Sequence, residues 1–286
     1  MTAPWVLPKA PYVPFMQDRT TRPPGLSPLD MADWTVRHAD FDAQMVRRQE
    51  ILRDHADIVI AATSDAEPAE LELLSMLNAH LGDGPRDLTL KERFCPLTAL
   101  GHLVPEDFCI MLPDAASGEY RLAAAILCFP SRWLLSEKMN RPLTAIHDPV
   151  PDYDDMLARR VNRVFEAVKP DRPLVRVNWT IHPTPELFLP LGLSDKQMMV
   201  PEPGGRMYLR TERQTLVRLP KSGAVVFGIK TSISPLESLM ADEAAVLLER
   251  IDALDAAEQA YRGRPEVHAR KIEVLQTVAA GTEGAA

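Results

Sequence analysis

Two stretches of this chain hold residues that could do chemistry together. Cys128-Phe129-Pro130-Ser131-Arg132-Trp133 combines a thiol, a guanidinium and an indole at what reads as a strand end. After a short helix-like run over 133–139 comes Ala145-Ile146-His147-Asp148-Pro149-Val150-Pro151. Pro149 and Pro151 restrict the backbone and keep His147 out of any longer helix. A metal-ligating imidazole gains from such rigidity, because its ring orientation must survive ligand exchange. The layout suits a buried pocket with one axial ligand. It equally suits a histidine that caps a helix or hydrogen-bonds a carbonyl.

Other ligands compete with His147. His182 ends a strand-like run and precedes a proline, and His102 lies near a predicted hairpin. No two histidines have the i, i+4 spacing of a non-haem metal site. Cys128 could offer a thiolate, although a buried small hydrophobe is the simpler role for Cys95, Cys109 and Cys128.

A second set of charges lies in Leu209-Arg210-Thr211-Glu212-Arg213-Gln214-Thr215-Leu216, ahead of a turn at Leu219-Pro220-Lys221-Ser222-Gly223. Alternation puts Met207, Leu209, Thr211, Arg213, Thr215 and Val217 on one face, and Tyr208, Arg210, Glu212, Gln214, Leu216 and Arg218 on the other. Arg213 therefore points to an apolar side and must be paired there, by a ligand carboxylate or by an internal acid such as Glu106 or Glu186.

The elements that must position these residues follow from periodicity. Prolines at 4, 8, 11, 14, 23, 24 and 28 make residues 1–30 an extended arm, and Tyr12, Phe15, Met16 and Leu26 predict that it packs on the domain. Helical spacing predicts helices over 40–61 and 67–81, the second stopped by Gly82. Residues 107–112 and 120–129 read as a β-hairpin, and 173–181 and 206–219 as further strands, the last turning back into 224–229. Ser234-Pro235-Leu236-Glu237 carries the pattern of a helix start, and the spacing predicts one helix from there to Arg262, ended by Gly263. Antiparallel strands flanked by helices make an α+β domain over 31–276, with 277–286 as a frayed tail.

Composition narrows the classes. The chain has 286 residues, 46% hydrophobic and 25% charged, enough for one buried core. A net charge of −8 without a basic tract argues against nucleic acid as a partner. Three cysteines without a CxxC pair fit a reducing compartment. No stretch approaches the roughly 20 apolar residues that span a bilayer. The expectation is a soluble, cytoplasmic protein with no membrane partner. No phosphate-binding loop, dinucleotide fingerprint or nucleophile elbow is present.

Taken in order, the motifs resemble the haem-dependent oxidative N-demethylase family. The matching residues are Pro14-Phe15-Met16, Leu26-Ser27-Pro28-Leu29-Asp30, Glu106-Asp107-Phe108-Cys109, Cys128 to Trp133, Glu137-Lys138, Arg141-Pro142-Leu143, Ile146 to Pro151, Asn178-Trp179, Pro185-Glu186-Leu187-Phe188 and Glu212 to Gly223. The resemblance implies a PAS-like antiparallel sheet with flanking helices around haem b. It implies oxidative removal of a methyl group from a small, dimethylamine-like secondary amine, using O2 and releasing formaldehyde. Electrons would come from NAD(P)H through a separate flavin and iron–sulfur reductase. With that prior His147 is the expected iron ligand and His182 the reserve. Arg132 and Arg213, with Trp133, are expected at the haem, and Glu106 and Arg213 as catalytic groups, Glu106 holding the protonated amine. Lys230-Thr231-Ser232 departs from the family's Arg-Thr-Tyr, which puts amine specificity in question. The rival reading is a PAS-like sensor that binds haem or another ligand without turnover.

Overall fold

The structure, a computed structural model, describes residues 2–17, 25–83, 87–147, 155–191 and 201–281. The proline-rich arm lies on the rest of the chain: Phe15, in a 3-10 turn, is fully buried, Val6 bridges Ile233, and β1 (Ser27–Pro28) pairs with the strand that begins at Leu174. Helix α1 (Phe41–Asp54) ends at His55, a short α2 (Ala56–Val59) follows, and the chain then extends into β2 (Ile60–Ala62). The single helix expected over 40–61 is thus broken, because Ile60 to Ala62 pair with Ile126 to Ala124 and cannot also be helical. Helix α3 (Glu67–Asn78) is stopped near Gly82, whose φ of 94° is open to glycine and strained for other residues.

After α4 (Leu90–Phe94) and α5 (Pro96–Gly101) comes the hairpin of β3 (Asp107–Asp114) and β4 (Glu119–Ile126). Then follow α6 (Leu143–His147), α7 (Asp155–Ala167), β5 (Leu174–His182), β6 (Tyr208–Arg218) and β7 (Val225–Pro235). The predicted helix start at Ser234 is instead the end of β7, where Ser234 faces Leu209 across the ladder. The predicted single helix to Arg262 is two, α8 (Ala241–Asp252) and α9 (Ala256–Arg262), the latter capped by Asp255; α10 (Pro265–Ala279) follows. Residues 277–279, read as tail, belong to α10. Among the described residues no helix is long and apolar enough to cross a membrane.

The fold is α+β. Among the described residues seven strands form one antiparallel sheet in the order β1-β5-β6-β7-β3-β4-β2. Because side chains alternate, register assigns each to a face. One face carries Phe108, Ile110, Val217 and Val226 against Ile51 and Leu52 of α1 and Leu73, Leu74 and Leu77 of α3. The other carries Cys109, Met111, Leu216 and Val225 against Leu135, Leu143, Phe165 and Trp133. Helices α8 and α10 close the end where β5 finishes and β6 begins, around Ile181, Leu209 and Phe15.

Helix α1 does more than bury apolar groups. Asp40, just before it, and Gln44 and Arg48 within it are one turn apart and all buried. Arg48 meets Asp107 at 2.6 Å and also donates to the carbonyls of Gly101, Pro105 and Glu106. Asp107 in turn accepts from the backbone N–H of Cys128 (2.7 Å) and Phe129 (2.8 Å). One buried ion pair therefore anchors the start of the Cys128–Trp133 stretch.

Candidate functional site

Strand register separates the expected site residues into two groups. His182, Arg210, Glu212 and Gln214 share a face with Cys109 and Met111, because Gln214 opposes Ile229, which opposes Asp107. Trp133 and Ile146 both pack against the cluster on that face, and Arg132 lies within electrostatic reach of Arg210 and Glu212. His147, at the end of α6, is close enough to Lys138 and Arg176 to feel both. Arg213 and Glu106 belong to the opposite face: Arg213 pairs with Lys230, and Glu106 immediately precedes Asp107. His147, His182, Arg132 and Trp133 are thus brought to one side, and Glu106 and Arg213 to the other. The proline brace expected at 148–151 lies outside the described residues.

On the His147 side the imidazole is half-buried, and Nδ1 lies 2.8 Å from the carbonyl of Leu143 one turn back. This is the carbonyl hydrogen bond raised above as the simpler role. A hydrogen bond from one ring nitrogen to a backbone carbonyl also fixes the ring's orientation, as it does in most ligating histidines. Burial pushes the His147 pKa below its ordinary value, so the ring stays neutral and able to coordinate. Beside it Lys138 donates to the Ile146 carbonyl at 2.6 Å and lies 5.3 Å from the Trp133 ring centre. Leu143, Ile146, Val161, Val164, Phe165, Leu216 and Phe227 make this an apolar wall.

Along the same face the wall gives way to charge. Arg176 donates to Gln214 (2.7 Å), Gln214 to Glu212 (3.1 Å), and Arg210 to Glu212 (3.3 Å) and to the Phe129 carbonyl (2.6 Å). Two ladder rows separate Arg176, opposite Gln214, from Arg210, opposite Thr180. At about 3.4 Å per residue the polar strip is about 14 Å long. At its far end His182 is buried, 2.8 Å from the Thr180 hydroxyl, with Arg132, Arg210 and Lys271 nearby. Burial, then those cations, hold the His182 pKa well below its ordinary value. Lys271 reaches in from α10, its pKa lowered to about 8 by burial and by Arg262 and Arg132.

Arg132 is the unusual member. Its φ of 62° lies in the left-handed region, costly for a non-glycine residue, and its backbone N–H is held by the Leu189 carbonyl at 2.9 Å. Its Nε is shielded from solvent and has no hydrogen-bond partner among the described residues. A strained arginine with a stranded donor, among Arg210, Arg262 and Lys271, makes an electropositive end suited to carboxylates.

Sequence reading missed Arg176 and Lys271. Both were visible as charges at core positions: Arg176 lies in the Val175–Val177 strand, and Lys271 on the stripe of Val267, Val274 and Leu275. Cys128 and Cys109 are buried thiols pushed up to about 12 by burial, so neither offers a thiolate. Arg213 pairs with neither Glu106 nor Glu186; it donates to the carbonyls of Trp34 (3.1 Å) and Asp33. A family model described as haem-dependent oxidative N-demethylase, alpha subunit-like, matches residues 78–271, which include every strand from β3 to β7.

Proposed function

Because the chain belongs to the haem-dependent oxidative N-demethylase, alpha subunit-like family, we propose that it holds a haem b against the His147 face of its sheet. On this reading it removes a methyl group oxidatively from a small secondary amine of the dimethylamine type, consuming O2 and releasing formaldehyde. The five central strands, β5-β6-β7-β3-β4, would be its PAS-like core.

The observation that carries the reading is the gradient along one face: a neutral, carbonyl-anchored imidazole, an apolar wall, then a polar strip that ends in a cluster of cations. A flat apolar macrocycle with acidic side chains along one edge fits that order. His147 would ligate the iron through Nε2, with Leu143 holding the ring. Trp133 would pack on the macrocycle, and Arg132, Arg210 and Lys271 would take the propionates. His182 sits among those cations, a better place for an anion than for iron, and so stays the reserve ligand. When bound, the haem supplies the redox centre for O2 chemistry. The chain's own contribution is to keep His147 neutral, to fix its orientation through α6, and to exclude water with Trp133, Ile146 and Phe165.

Electrons would come from a separate flavin and iron–sulfur reductase, since the sequence has neither a nucleotide fingerprint nor clustered cysteines. The free cysteines support a reducing, cytoplasmic setting. The test is an absorption spectrum of haem-loaded wild type, His147→Ala and His182→Ala, oxidised and reduced, followed by a reductase-coupled formaldehyde assay with dimethylamine. Loss of the Soret band in His147→Ala but not in His182→Ala is expected. An unchanged spectrum in His147→Ala removes the ligand assignment. Bound haem without formaldehyde from any secondary amine favours the sensor reading.

A further inference from the structure

The face of the sheet turned away from His147 holds a second set of buried polar groups. Register places Val177, Arg213 and Lys230 side by side, and Glu106, the residue before β3 begins, lies within electrostatic reach of Lys230. The neighbouring row is Trp179, Thr211 and Ser232. Tyr12 of the N-terminal arm lies over these rows, its hydroxyl 3.4 Å from His38 Nε2 and within electrostatic reach of Arg213, Glu106 and Asp40. Phe15, edge-on to Trp179 at 6.0 Å, extends the same cover.

Charge is answered unevenly here. Lys230 is satisfied: its ammonium donates to Asp40 (3.3 Å), Gln44 Oε1 (2.8 Å) and the Thr231 carbonyl (3.0 Å). Arg213, on one side of it, is met by carbonyls and not by a carboxylate, and Glu106, on the other, is only partly satisfied. Arg213 is 7% exposed, yet among the described residues no carboxylate lies within ion-pair distance of it. Glu106 is 3% exposed; Oε1 accepts from the Val36 N–H at 3.1 Å, and Oε2 has no partner among the described residues. The hydroxyls of Thr211 and Ser232, each 1% exposed, are also without partners there, as is His38 Nδ1. Such groups are costly to bury unmatched, and four of them meet in one place.

Lys230 keeps the acid and the guanidinium from pairing with each other. Their strands are two spacings apart, about 10 Å between backbones, and both side chains reach the same 33–36 segment, Arg213 at the Asp33 and Trp34 carbonyls and Glu106 at the Val36 N–H. A ligand with only a cation, or only an anion, would answer one group and leave a net charge buried. A ligand with both answers both and adds none. We propose that this face is a closed binding site for a small zwitterion of the amino-acid or N-alkyl amino-acid class. Its ammonium would sit at Glu106 Oε2, its carboxylate at Arg213, and Thr211 and Ser232 would hydrogen-bond between them. Trp179 and Phe15 would wall the site with apolar surface. The inference stands apart from the haem reading, because none of these residues lies on the His147 face.

The test is calorimetric titration of the haem-free full chain with N-methylglycine, and separately with acetate and with dimethylamine. Saturable binding of N-methylglycine, at least tenfold tighter than either single-charge fragment, is expected. Glu106→Gln and Arg213→Met should each weaken it at least tenfold. Thr211→Val and Ser232→Ala leave every charge in place and should weaken it several-fold, which covers the case of a charge variant that does not fold. Acetate or dimethylamine binding as tightly as N-methylglycine overturns the zwitterion class. No binding, or binding indifferent to the substitutions that fold, overturns the site. A Soret shift in haem-loaded protein that saturates with N-methylglycine binding places the ligand on the other face and also overturns it. Failure of haem loading in the same preparations bears on the haem reading alone.

Discussion

Replacing Asp107 probes how the fold positions the residues around Arg132 and Trp133. Its carboxylate meets Arg48 at 2.6 Å, with side chains 1% and 0% exposed, and also accepts from the N–H groups of Cys128 and Phe129. Removing one partner of a buried pair costs about 3–5 kcal/mol, since the other charge is left uncompensated. Each amide stripped of its acceptor adds about 1–3 kcal/mol before relaxation. A whole domain is stable by about 5–15 kcal/mol, so Asp107→Ala should fail to fold or fold marginally. Asp107→Asn keeps an acceptor for one amide and should lose about 3–5 kcal/mol, the pair term alone. Urea unfolding followed by circular dichroism measures the loss, and haem uptake by the surviving variant reads whether the Cys128–Trp133 stretch has loosened. Arg48→Met closes a double-mutant cycle, in which the pair should couple by more than about 1 kcal/mol. A loss below about 1 kcal/mol in Asp107→Asn, or strict additivity with Arg48→Met, would refute the reasoning.

Two further outcomes follow from burial. Lys271 loses its proton at about 8 in the folded state and at its ordinary 10.5 when unfolded. Below 8 it is charged in both states and burdens only the folded one, so haem-free stability should rise with pH between those values. Lys271→Met should stabilise haem-free protein at pH 7 by at most about 3 kcal/mol and flatten that rise; an unchanged pH profile in thermal unfolding would contradict this. With Cys109 and Cys128 buried and pushed up to about 12, only the exposed Cys95 should react when native protein meets iodoacetamide at pH 8. Mass spectrometry finding rapid label on either buried thiol would show that the core opens.

Local pattern was enough for much of this protein. The alternation through Leu209–Val217 set strand β6 and its two faces, and with them the parity that turns Arg213 away from Arg210 and Glu212. The hairpin of β3 and β4, the stop at Gly82 and the turn at Gly223 were equally legible, because side-chain period and glycine conformation are properties of a few adjacent residues. Pattern failed where a distant partner outbid it. Ser234-Pro235 carries a helix-start pattern but extends β7, because the ladder with Leu209 and Tyr208 satisfies its backbone. Asp40, Gln44 and Arg48 are polar side chains one turn apart, which local pattern alone does not bury, yet they face Lys230 and Asp107 in the interior. Lys271 joined the cationic end only when α10 closed over the sheet. The sequence by itself determined which residue types were present and which way each strand residue points relative to its neighbours. Only the tertiary structure decided that His147, Arg132, Trp133 and His182 share one face while Glu106 and Arg213 share the other. Alternation is local, but the order of strands and the elements that cover each face depend on contacts between residues far apart in the chain.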